Sequence, residues 1–123
     1  MDREQLRSFL EERRYCVLAT TDAHGRAIAR PAAFAVFGGS FWFATVAGAR
    51  LGNIESTPWA SVVIEDSDGG EHRAVAVDGA AVITRHPPKE LLDVWYERHG
   101  SRAEWAVAWF EVRPQRLVSY VAS

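Results

Sequence analysis

The chain of 123 residues has one cysteine, one methionine and one lysine, Lys89. Cys16 stands alone in "YCVLAT", which excludes an internal disulfide and makes the reducing cytoplasm the expected location. No apolar run approaches the ~20 residues a bilayer span needs. The N-terminus, "MDREQLRSFLEERR", is charged throughout, unlike a secretory signal. A net charge of −2, with the arginines interleaved among acids, leaves no basic stripe for nucleic acid and no bulk attraction to an anionic membrane. Neither GxGxxG nor GxxxxGK[ST] occurs. His24, His72, His86 and His99 never pair at metal-ligand spacing; His86 and Glu90 could share a helix face but lack a third ligand, so no metal site is assigned.

Aromatic residues, by contrast, are plentiful: five Trp, six Phe and three Tyr. The length and composition predict one globular domain over residues 1–123. Asp2 is placed to cap a first helix with Leu6, Phe9 and Leu10 on one stripe and Arg13 and Arg14 near its C-terminus. "YCVLATT" reads as a strand, "DAHG" as a turn and "RAIARPAAFAVF" as renewed extended chain, in which Pro31 marks an edge, a bulge or a change of pairing. "GGS" turns the chain into "FWFAT", and a short helix is expected over Arg50–Ser56, ending before Pro58. "WASVVIED" is a strand, "SDGGEH" a loop and "RAVAVDGAAVITR" a long strand kinked at Gly79. "HPPKELLDVWYERHG" is the clearest helix, and "WAVAWFEVRP" with "RLVSYVA" predicts a final hairpin through Pro114 and Gln115. Six or seven strands joined mostly by short turns make the fold mainly β, a small closed or partly split antiparallel barrel with peripheral helices, rather than an α/β sheet.

The chemistry concentrates in "FWFATVAGARLGNI", where an apolar strand runs into a glycine-flanked loop whose only charge is Arg50. Glycines at 48 and 52 allow backbone amides to approach a ligand, a helix beginning there turns N–H groups outward, and Thr45 ends the preceding strand. Arg30, in "ARP", is expected near the same loop. Two guanidiniums, a hydroxyl and helix amides suit a phosphate group; the plainer alternative is two surface arginines beside an ordinary turn. Cys16 reads as a core residue, Ser40, Ser61 and Ser119 lack a nucleophile-elbow context, and Glu65, Asp66 and Asp68 read as solvated. No residue stands out as a general acid or base, so an enzyme here would lean on a cofactor. Phe34, Phe37, Phe41 and Phe43 are expected in the core and Trp42 on the opposite face. Trp105 and Trp109 are candidates for apolar surface that a dimer or a ligand groove would use.

The order of "LATTDAHGRAIARPAAF", "FWFATVAGARLGNIESTPWASVVI", "VAVDGAAVITR" and "FEVRPQRLVSY" resembles the pyridoxamine 5′-phosphate oxidase-like family of flavin-binding split barrels, from about Leu6 to Tyr120. The resemblance implies a homodimer with FMN, or the deazaflavin F420, at the subunit interface, and an oxidoreductase moving hydride to or from a small organic substrate. It also implies roles. Arg30, Thr45 and Arg50 fall at phosphate-binding positions, Asn53 at a polar position facing the cofactor, and the backbone from Pro31 through Ala32 and Ala33 along the ring edge. Ala35 stands where true pyridoxamine phosphate oxidases carry a further basic residue, and the chain ends at "SYVAS" without their substrate segment, so vitamin B6 oxidation is not expected. An F420-dependent reductase is the alternative, with Arg3, Arg7 and Arg14 interleaved with Glu4, Glu11 and Glu12 as its groove. A flavin- or haem-binding protein without turnover is the third reading. Catalytic residues are not assigned.

Overall fold

The computed structural model describes residues 1–67 and 70–122, so Asp68 and part of the "SDGGEH" loop lie outside it. Asp2 accepts from the Gln5 amide at 2.8 Å while the Gln5 side chain accepts from the Asp2 amide, a reciprocal cap that starts helix α1 (Arg3–Glu11). Phe9 and Leu10 are buried and Leu6 packs beside them. Strand β1 (Tyr15–Thr21) alternates, turning Cys16, Leu18 and Thr20 inward. The Asp22 carboxylate accepts from the His24 and Arg26 amides and closes the turn into β2 (Ala27–Ala33), an edge strand on which Pro31 is tolerated.

Pairing changes at Phe34, which belongs to neither β2 nor β3 (Ala35–Phe37). Its polar groups find partners elsewhere: the amide donates to Arg14, and the carbonyl accepts from Arg98 and His99. Gly38 and Gly39 turn the chain into β4 (Ser40–Thr45), buried on both faces. Helix α2 (Ala49–Ser56), strand β5 (Trp59–Asp66), the long β6 (His72–Thr84), helix α3 (Lys89–His99) and β7 (Ala108–Ala122) follow. The antiparallel order is β2-β1-β5-β6-β7-β4-β3, seven strands curled into a split barrel that brings β2 against β4. Among the described residues no helix is long and apolar enough to cross a membrane.

The expected final hairpin is a single strand instead. β7 pairs with β6 along its length, from Trp109↔Thr84 to Ala122↔His72, while its first residues also pair with β4. Pro114 sits opposite Gly79, where the register shifts at a bulge; the missing proline N–H is tolerated there. A Cβ at Gly79 would run into the Arg113 carbonyl, so the close crossing requires glycine.

Two apolar clusters form on opposite faces of β4. Phe34, Phe41, Phe43 and Phe110 fill the barrel, with the last two stacked at 5.0 Å. Trp42, Trp95 and Trp109 pack under α3, and Phe37 joins that cluster rather than the barrel core. Trp109, expected as surplus surface, is therefore buried; Trp105 is 55% exposed.

Candidate functional site

β1, β2, β4 and α2 converge around a cavity of about 380 Å³ at the C-terminal end of β4. Four of the residues expected at a site line it: Arg30, Thr45, Arg50 and Asn53. Arg30 reaches it from β2 although β2 and β4 stand far apart in strand order, because the sheet curls; the two strands do not hydrogen-bond as a hairpin pair.

Each group is held locally and weakly. Arg30 Nη1 donates to the Ala29 carbonyl at 2.8 Å, and Arg50 Nη2 to the Pro31 carbonyl at 3.3 Å. Among the described residues neither guanidinium reaches a carboxylate within ion-pair distance. Thr45 is 4% exposed, and its hydroxyl donates to the Val46 carbonyl at 3.0 Å. Asn53 Nδ2 donates to Thr20 Oγ1 at 3.1 Å, tying α2 to β1. Gly48 precedes α2 at φ 155°, ψ −165°, a conformation essentially restricted to glycine, and no side chain caps the helix. Gly48, Ala49 and Arg50 all line the cavity, so the uncapped first turn opens onto it. Cations, a hydroxyl and helix amides thus share one concavity that has no carboxylate among its lining residues. That donor set fits a phosphate group.

The remaining wall is apolar, from Leu18, Ile28, Ala44, Val46 and Trp105. Periodicity in β1 could have placed Leu18 and Thr20 here, since both alternate inward with Cys16. Ile28 and Ala44 carried no such signal, because the curl that joins their strands is tertiary. Pro31 contributes its carbonyl to Arg50 but is itself exposed and outside the lining. Ala32 packs in the barrel core and Ala33 against the cluster under α3, so neither lines this cavity.

No histidine, cysteine or carboxylate lines the cavity, and no group of three metal-binding side chains occurs among the described residues. Cys16 is buried; desolvation pushes its thiol up to about 12 against the opposing pull of Arg50, so it is protonated at neutral pH. Ser61 donates to Asp78 at 2.6 Å with no histidine beside it. Asp66 corrects an expectation: it is not solvated but pairs with Arg13 and Arg73, whose guanidiniums lie over the Phe9 ring. Its partner Arg13 is 53 residues away, beyond the reach of local pattern.

The strand order and curl place the chain in the split-barrel class. The pyridoxamine 5′-phosphate oxidase family model matches residues 2–120, and the chain belongs to that family. No curated protein matches the sequence. Among solved structures, an FAD-binding protein from Mesorhizobium loti is 17% identical with a TM-score of 0.84, covering 100% of this chain and 95% of its own. A protein described as an F420 reductase is 24% identical with a TM-score of 0.74, covering 90% and 94%. HutZ, the haem storage protein of Vibrio cholerae, is 20% identical with a TM-score of 0.73, covering 94% and 92%. At these identities the likeness is one of fold.

Proposed function

We propose that this protein is an FMN-binding oxidoreductase that works as a homodimer. The observation that carries the reading is the meeting of Arg30 and Arg50, from separate elements, in one cavity with Thr45 and the open first turn of α2, and with no carboxylate in its wall. An FMN-type phosphate would receive bidentate, charge-assisted bonds from the guanidiniums and further bonds from the α2 amides. Asn53, fixed by Thr20, offers a polar contact beside it. The backbone from Pro31 to Ala33, which the family resemblance sets along the ring edge, is outside the cavity lining and would meet only a ring that extends beyond it. When bound, a flavin supplies the redox chemistry, passing hydride to or from a small organic substrate. The apolar part of the wall would keep the reacting ring partly dry, and no protein acid or base is required of the lining.

Dimerisation is supported by the outer face of β1, β2 and β5. Val17 pairs with both Pro31 and Val63, and Tyr15, Val17, Trp59 and Val63 are all exposed. A second copy of the chain would cover this apolar sheet face.

The FAD-binding and F420 neighbours are consistent with a flavin-type cofactor. F420 ranks second because Arg7 and Arg14, candidates for its acidic tail, line a different groove with Glu11, Glu97 and Arg98 beside the β3–β4 turn. That turn lies at the opposite end of β4 from Thr45, roughly 20 Å away at strand rise. Haem storage without turnover ranks third, since none of the four histidines lines the cavity. Ala35 is fully buried, so the position that would hold a second phosphate-binding cation in a vitamin B6 oxidase cannot serve one here.

Titration of the purified protein with FMN and with F420 tests the order of cofactors, and anaerobic reduction by NAD(P)H tests turnover. Tighter F420 binding would reverse the ranking, and a bound flavin that no physiological reductant reduces would favour the carrier reading. FMN affinity unchanged by Arg50→Ala would remove the phosphate assignment.

A further inference from the structure

Trp105 combines three features that the fold does not explain. It is exposed, it lines the cavity, and the segment that carries it is firmly held. Residues 101–107 connect α3 to β7 without regular structure, yet the connection is pinned at both ends. Ala103, 3% exposed among Leu91, Trp95 and Trp109, adopts φ 55°, a left-handed conformation that alanine accepts only when its surroundings impose it. The Ala106 amide donates to the Ala103 carbonyl at 2.9 Å, and the Val107 amide to the Thr45 carbonyl at 3.0 Å. Arg85 Nη1 holds the Val107 carbonyl at 3.1 Å, and Arg102 pairs with Asp93 at 3.2 Å. The bond from Val107 ties the segment to Thr45, itself a residue of the cavity lining.

The indole on this constrained segment is more than half exposed and belongs to neither buried cluster. Val46, which also lines the cavity, is likewise exposed and apolar. The cavity lining therefore combines two cations, Arg30 and Arg50, with apolar side chains that include Ala44, Val46 and Trp105. A ligand with an anionic tail and a flat, uncharged body matches that combination.

We infer that Trp105 is a ligand-contacting residue whose indole face stacks on a planar, uncharged conjugated ring bound in this cavity. The inference rests on the proposed cofactor reading and adds the residue that grips the ring. The ring belongs either to the cofactor or to the organic substrate, and the chemistry of the contact is the same. Stacking on a flat π-surface tolerates exchange of one aromatic for another but not its removal.

The test compares wild type, W105A and W105F in two titrations, FMN into the apo-protein and then menadione, a planar neutral quinone, into the FMN-loaded protein. F420 takes the place of FMN should it bind more tightly. The expected result is that W105A weakens one of the two by about tenfold, and W105F stays within about threefold of wild type. Displacement of FMN by inorganic phosphate gives the same phosphate affinity in all three. Loss in the first titration assigns the ring to the cofactor, and loss in the second assigns it to the substrate. Wild-type affinities for both ligands in W105A would overturn the inference while leaving the cofactor reading intact, as would W105F failing as badly as W105A. A wild-type protein that takes up neither FMN nor F420 would overturn both. W105F, which keeps the ring, remains informative if W105A does not fold.

Discussion

Arg98 and Arg50 are both guanidiniums resting on main-chain carbonyls, and they do different things. Arg98, half-buried at the end of α3, donates to Phe34 at 3.2 Å, Glu11 at 3.3 Å and Leu10 at 3.2 Å, and lies 4.9 Å above the Phe34 ring. It satisfies the last carbonyls of α1 and the one residue that leaves the sheet between β2 and β3. Arg13 and Arg73 are committed in the same way to Asp66. At the cavity, Arg50 has one carbonyl at 3.3 Å and Arg30 one from its own sequence neighbour. The first group of arginines closes the fold; the second leaves donors over for something that arrives from solution. An arginine's role here is read from the number and reach of its internal acceptors, not from its charge.

That contrast is breakable. Arg98→Ala should have the largest effect, about 3 kcal/mol, since three carbonyls lose a charged donor in a partly buried place. For a domain of this size that is a fall in melting temperature of roughly 10–15 °C, while FMN affinity stays within about threefold; a melt unchanged by the substitution would show that Arg98 is ornamental. Arg50→Ala should invert the pattern, losing tenfold or more in FMN affinity, about 1.4 kcal/mol, with the melting temperature within ~2 °C. The affinity should also decline with added salt in wild type and decline less in this variant, measured by flavin fluorescence between low and high ionic strength. Thr45→Val sharpens the comparison further: loss of one neutral hydroxyl should weaken FMN about threefold to fivefold, consistent with about 0.5–1.5 kcal/mol for such a bond.

The smallest effect concerns His99, beside Arg98. Its Nε2 lies 3.0 Å from the Phe34 carbonyl, so the neutral ring donates there. Burial holds its pKa below the ordinary value, partly offset by that carbonyl and reinforced by Arg98 and Arg14; the Tyr15 and Trp95 rings complete its surroundings. The unfolded chain therefore takes up a proton more readily than the folded one. Stability from this group is full above about pH 6.5 and is lost as pH falls from there through the lowered folded pKa. His99→Gln, which can still donate, should flatten that decline in melting temperature relative to wild type; identical pH profiles would exclude the linkage.

Where structure was set by neighbours in sequence, the sequence was readable. Asp2 announces α1, the run "YCVLATT" gives β1, and Gly48 with Arg50 marks the start of α2. Gly79 was legible as a kink because only a bulge or close crossing explains glycine in such a strand. Its partner at that crossing, Pro114, was misread as a turn for the same reason: a proline inside apolar alternation looks like a break when the strand facing it is unknown. Asp66 and Arg98 were illegible in kind, because their partners lie on elements remote in sequence and nothing local distinguishes them from solvated charges. At the cavity, Arg30, Thr45 and Arg50 were picked out by residue type and position and Asn53 by the family resemblance, whereas Ile28, Ala44 and their share of the apolar lining depend on the curl that brings β2 to β4.

Cys16 has a practical consequence. Its thiol is sheltered and stays protonated at neutral pH, so maleimide reagents, which are attacked by thiolates, will find the native protein almost unreactive. The chain is thus a ready background for site-specific labelling without prior removal of its own cysteine. A spin label or fluorophore attached after Val46→Cys, an exposed position in the cavity lining, would report on whatever enters it.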